Sequence, residues 1–212
     1  MFETALLSIV PLLLASTEII TPIIYEEVFE PPGDDRPDNT RAGGSRNDLA
    51  CNADEPPIQA LLPVSQYALT RQARPEIFVQ LTDTSANSAV LVFEDRQADY
   101  YERVVVSIPE GESFVNWSLP DSAAALVVGK NYRWSVSLIC DQFLRPNDPV
   151  LSGWVQRTEA DNLLLNLDGE AYAQALAAEG YWYDLLSWFH QQKDGQLETF
   201  WQQYQVSAEA FE

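Results

Sequence analysis

Between Ile58 and Arg157 the chain keeps returning to a period of two, apolar then polar, and no helical period interrupts it. "YRWSVSLIC", Tyr132 to Cys140, is the cleanest case. Tyr132, Trp134, Val136, Leu138 and Cys140 fall on one face, and Arg133, Ser135 and Ser137 on the other, with Ile139 the one apolar exception. Strict alternation sets one face of a strand against a core and the other toward water. The same reading predicts strands over 66–70, 76–81, 89–95, 100–108, 113–119, 132–140 and 152–157. Turn residues separate them: "RP" at 74–75, "DTSANS" at 83–88, "PEGE" at 109–112, "VGKN" at 128–131 and "RPNDP" at 145–149. Short strands without helices between them predict an antiparallel β-sandwich over 58–158, not βαβ units.

In "VGKNYRWSV" a Gly precedes Tyr-x-Trp at the entry to the best strand, an arrangement seen in immunoglobulin-like and fibronectin-like sandwiches. The expected class is therefore mainly β, an immunoglobulin-like sandwich, followed by a C-terminal helical segment over 159–212. In that segment the period lengthens. "LLLNLDGEAYAQALAAEG" is rich in Ala and Leu and ends in Gly180, "YWYDLLSWFHQQKDG" ends in Gly195, and "QLETFWQQYQV" follows. Helix, Gly turn, helix, Gly turn, helix reads as an αα-hairpin arrangement resembling one tetratricopeptide unit. One such unit cannot bury its own apolar face, so it must pack on the sandwich or on a partner. Tyr181, Trp182 and Tyr183 crowd the start of the second helix with more aromatic surface than one stripe can bury. With Asp184 beside them to cap or orient the turn, they are the candidate interaction surface.

Ahead of the sandwich, residues 1–25 form an apolar leader. Ala5 to Ala15 has the length of a signal-peptide core and is too short to span a bilayer as a helix, while the flanking "MFET" lacks the usual Lys or Arg. Residues 26–57 hold five Pro, three Gly and many acids with almost no apolar periodicity, and read as a solvated linker. A working leader implies a periplasmic or secreted protein; without one, the chain is cytoplasmic. Nothing later in the sequence is long and apolar enough to predict a stable membrane span.

Charge narrows the partners. The 212 residues carry 32 acids against 12 bases, a formal net charge of −20. A polyanion without a basic stripe repels phosphate backbones, so no nucleic acid is expected as partner, and anionic lipid surfaces are disfavoured for the same reason. Catalysis finds little to work with. His190 is the single histidine, with no nucleophile elbow before it, and one His with two distant Cys cannot build a zinc cluster, so no metal, cofactor or catalytic residue is assigned. Glu94, Asp95 and Asp99 cluster at a hairpin and are the only arrangement that would allow a carboxylate-dependent hydrolase. The tryptophans Trp117, Trp134 and Trp154 on strands would allow a carbohydrate-binding module if they lay in an exposed row.

Cys51 ends the linker and Cys140 ends the apolar face of the best strand. They read either as a structural bridge in an oxidising compartment or as two unrelated thiols, one buried and one exposed.

Three stretches, "AGGSRNDLAC", "VGKNYRWSVSLICDQFLRPNDPVLSGWVQRTE" and "AAEGYWYDLLSWF", resemble in that order the family called domain of unknown function 928, found chiefly in cyanobacteria. The resemblance implies cysteines at both positions, which strengthens a Cys51–Cys140 bridge, and it implies no activity. The expected function is a non-enzymatic binding module of the cell envelope or periplasm, engaging a protein partner.

Overall fold

The computed structural model describes residues 51, 58–63, 65–82, 84–95, 99–146, 148–159, 164, 166–192 and 195–209. The leader expected over 1–25 and, apart from Cys51, the linker expected over 26–57 lie outside the described residues.

Among the described residues eight strands and three helices follow in order: β1 (Ile58–Ala60), β2 (Tyr67–Thr70), β3 (Ile77–Leu81), β4 (Ser88–Asp95), β5 (Tyr101–Ser107), β6 (Phe114–Trp117), β7 (Asn131–Ile139), β8 (Val150–Arg157), α1 (Gly169–Ala178), α2 (Trp182–Gln191) and α3 (Gln196–Glu209). They make a three-stranded sheet ordered β1-β3-β6 and a five-stranded sheet ordered β2-β8-β7-β4-β5. Every expected strand is present within a residue or two. β7 shows why: Tyr132, Trp134, Val136 and Leu138 are all buried, and the residues between them are exposed or half-buried. It lies between β4 and β8, pairing antiparallel with both.

Two features differ from the expected antiparallel sandwich. β1 is an additional strand of three residues, "IQA", paired with β3 from Ile58↔Leu81 to Ala60↔Val79. Three residues are too few to show a period. β2, moreover, runs parallel to β8, from Tyr67↔Trp154 to Thr70↔Arg157, so the large sheet is mixed. Side chains alternate identically in parallel and antiparallel strands, and the direction of a partner distant in the chain leaves no mark on the pattern.

Both sheets and all three helices contribute to one hydrophobic core, so the helical segment packs on the sheets. On the small sheet, His190 of α2 meets the Phe78 ring edge-on at 5.5 Å, Trp201 of α3 donates its Nε1–H to Gln80 Oε1 at 3.0 Å, and Gln205 donates to Gln59 at 3.1 Å. The helices thus cover the face carrying Gln59, Phe78 and Gln80, and alternation leaves Ile77, Val79 and Leu81 for the opposite face of β3. On the large sheet Trp134 lies opposite Gly153, where an added Cβ would sit 2.6 Å from the indole, so only glycine lets the ring cross β8.

The breaks between helices are set by glycine. Gly180 has φ 76°, and the Gly180 N–H to Ala177 O and Tyr181 N–H to Leu176 O bonds (3.1 and 2.9 Å) close α1 with a Schellman motif. Gly180 O then accepts from Leu69 N at 3.0 Å, pinning the turn to the outer edge of β2. That edge is thereby capped by the α1–α2 corner rather than left open.

Candidate interaction surface

Tyr181, Trp182, Tyr183 and Asp184, expected as an exposed surface, are all buried, and this expectation is corrected. The start of α2 is driven into the side of the sandwich. Trp182 donates its Nε1–H to Leu61 O at 2.9 Å. The Tyr183 hydroxyl accepts from Trp134 Nε1 at 2.7 Å and donates to Trp154 O at 2.9 Å, and burial pushes its phenol up out of the ordinary range. Tyr181 lies 5.4 Å from the Arg71 guanidinium and takes a bond from Thr158 Oγ1 at 3.3 Å.

Asp184, expected to cap or orient its own turn, instead binds Arg71 from inside the protein. Its Oδ2 accepts the Arg71 N–H at 3.1 Å and its Oδ1 the Arg71 Nε–H at 3.3 Å. Arg71 also reaches the Tyr172 hydroxyl on α1 and lies over that ring at 5.5 Å. Burial raises the Asp184 pKa, against the lowering effect of bonds from Thr70 and Arg71. A buried ion pair flanked by two phenols fixes how the helices meet β2, and its polar atoms point into the protein rather than toward a ligand.

Exposed apolar surface gathers elsewhere, at the β7–β8 connection. Leu138 N donates to Pro149 O at 3.0 Å, which leaves residues 139–148 as the tip. Cys140 opens that tip and is bonded to Cys51, with Cα atoms 4.9 Å apart and a sequence separation of 89. Asp148 is buried at the far side. Its Oδ2 accepts the Arg145 N–H at 2.7 Å, and the Arg145 guanidinium reaches back to Asp141 at 2.6 Å. A covalent anchor at one end and a buried carboxylate at the other hold the loop, and what it presents is Phe143, 76% exposed, with Leu144 at 43%. Composition alone reads "DQFLRPNDP" as punctuation. The missed signal is two large apolar residues in a turn where Asp141, Arg145 and Asp148 are committed to bracing it.

The family profile described as Domain of Unknown Function (DUF928) matches residues 41–208, which include Cys51, Cys140, the braced tip and the helical junction. The chain belongs to the DUF928 family. The three stretches on which the resemblance was read all fall inside the match. No curated protein matches the sequence significantly. Among solved structures, the fn3 domain of human collagen alpha-1(XX) chain is similar at 10% identity, covering 54% of this chain and 89% of that domain, with a TM-score of 0.30. The apo-form Calx CBD1 domain is similar at 11% identity over 49% of this chain and 96% of that domain, also with a TM-score of 0.30.

In this DUF928 chain two of the three acids considered for hydrolysis, Glu94 and Asp95, are paired with neighbouring cations, and Asp99 contributes its backbone N–H. Asp95 is buried, its Oδ1 accepts the Asp99 N–H at 2.9 Å, and its Oδ2 lies 3.6 Å from Lys130 Nζ. Glu94 points to Arg133 at 3.8 Å on the neighbouring strand. These carboxylates shape the β4–β5 hairpin and do not face one another across a cleft. The exposed row that a carbohydrate-binding module would need is not formed: Trp117, Trp134, Trp154, Trp182 and Trp201 are buried and Trp188 is half-buried, so none offers a flat open ring to a sugar. Among the described residues no cluster of three His, Cys, Asp or Glu is placed to hold a metal ion, and no helix is long and apolar enough to cross a membrane.

Proposed function

We propose that this DUF928 chain is a non-enzymatic protein-binding module of the cell envelope or periplasm, and that it holds its partner through the Phe143–Leu144 tip. In this reading an immunoglobulin-like sandwich is the scaffold, the helices complete its core, and the tip is the anchor. The observation that carries it is the 76% exposure of Phe143 on a loop fixed at both ends. A rigid apolar anchor loses little conformational entropy on docking, which is what binding hot spots require. The Cys51–Cys140 bond supports an oxidising compartment, where such bonds persist. The net charge of −20 favours partners with basic surfaces around an apolar pocket.

The test is a photo-crosslinking phenylalanine analogue placed at 143 in the native cell, with the same analogue at Val128 on the far end of the sandwich as control. A discrete protein adduct from position 143, absent from position 128 and from the protein carrying Leu144→Ser, is the expected result. Equal labelling from both positions overturns the assignment of the tip.

A further inference from the structure

β5 is the last strand of the large sheet, and its free side is unusually well formed for an edge. The bonds Ile108 N–H to Asn87 O and Asp95 N–H to Tyr100 O place the even-numbered residues of β5 in the ladder with β4. The backbone groups of Tyr101, Arg103, Val105 and Ser107 therefore point away from the sheet. Among the described residues, Ser107 O is taken by Trp117 Nε1 at 3.1 Å, and nothing pairs with the amides of 101, 103 and 105. The side chains of the same odd-numbered residues project outward as well, with Tyr101 60% and Val105 56% exposed. Natural edges are blunted by proline, bulges, lysine or a covering loop. The β2 edge is capped by Gly180, whereas "YERVVVS" has a regular seven-residue pairing with β4 and neither proline, bulge nor lysine. The strand's charges are the exposed Arg103 and Glu102, whose carboxylate accepts from Ala124 N on the inner side, and the Trp117 indole covers the strand only at Ser107.

We propose that the β5 edge accepts an extended segment of a partner protein as an added strand, one with a β-branched apolar centre and basic residues at both ends. Its backbone would complete the ladder at 101–105, and its apolar side chains would lie beside Tyr101 and Val105. The basic ends answer the exposed acids that flank the strand, Asp99 at one end and Glu110 and Glu112 at the other, on a chain of net charge −20. A second copy of this chain fits poorly. The antiparallel register that sets Tyr101 opposite the other copy's Val105 also sets Arg103 opposite Arg103, and like charges directly opposite destabilise a pair. The strand site is distinct from the tip. Ile139, Ser88 and Ser107 share one register row, so only the Ser107 end of β5 is level with the tip, while Tyr101 lies in the row of Glu94 and Arg133 toward the other end of the sheet.

The experiment is amide exchange by NMR on the full chain, alone and with the peptide acetyl-Lys-Lys-Val-Thr-Val-Thr-Val-Lys-Lys-amide, against the same peptide with Glu for every Lys. The basic peptide should slow exchange at Tyr101, Arg103 and Val105 roughly tenfold, and the acidic peptide should not. Val105→Pro removes an amide that β4 does not use, and Val105→Lys keeps the strand while adding charge. Both should abolish the protection, and Phe143→Ser with Leu144→Ser should leave it intact, which separates failure here from failure of the tip. No protection by the basic peptide, or equal protection by both peptides, overturns the proposal. Protection already present without peptide also overturns it: if it grows with protein concentration the occupant is a second copy, and if it does not, the chain covers its own edge.

Discussion

The start of α2 and the tip of the β7–β8 loop invert one another. Tyr181, Trp182 and Tyr183 form the densest aromatic run in the sequence and lie inside the protein; Phe143 and Leu144 stand among Asp, Gln, Arg, Pro and Asn and lie outside it. Aromatic density reports how much surface the chain can bury, while the surface left over is decided by which elements reach each other. At the α2 corner β2, β7 and β8 all supply partners, including the Trp154 carbonyl and the Trp134 indole for a single hydroxyl. At the tip, Asp141, Arg145 and Asp148 bond among themselves, and Phe143 stands exposed beside them.

The sharpest way to break this contrast is Trp182→Ala. Removing a fully buried indole should cost about 3–5 kcal/mol of stability, read from urea unfolding. A loss below about 1 kcal/mol would mean the α2 corner is a surface after all.

Asp184→Asn sharpens the same side through pH. Because burial raises the folded-state pKa of Asp184, the native state keeps its proton where the unfolded chain has lost it. Its contribution is therefore full below the unfolded value near 3.9 and is lost as pH rises through the folded value. Unfolding free energies measured from pH 3 to 7 should fall more with rising pH in the wild type than in Asp184→Asn. Parallel curves would place that carboxylate in solvent.

The smallest expected effect lies at the other pole. Phe143→Ser with Leu144→Ser should change stability by less than about 0.5 kcal/mol, since exposed side chains contribute little to the folded state. A loss of several kcal/mol in the same urea titration would show that the tip is packed and would remove the basis for its role in binding.

Much of the scaffold was legible because it rests on local periodicity. The alternation of Tyr132 to Leu138 named a strand with one buried face, and Gly180 and Gly195 named the breaks between helices. The bridge is a middle case. Cys140 at the end of an apolar strand face and Cys51 at the end of the linker left two readings open, and family resemblance favoured pairing. Three features of tertiary placement left no local trace. A three-residue β1 carries no measurable period, the parallel run of β2 beside β8 alternates like any other strand, and "DQFLRPNDP" does not say which of its residues bond inward.

The sequence by itself determined where the backbone extends, where it coils and where it stops, because φ/ψ preference and side-chain period act within a few residues. Only the tertiary structure decided that the aromatic corner is core, that Gly180 caps one edge of the large sheet while among the described residues no strand pairs with β5 at the other, and that Phe143 faces water. Those outcomes depend on contacts between residues far apart in the chain, such as Arg71 with Asp184 and Trp134 with Tyr183, and no short window of sequence contains both partners.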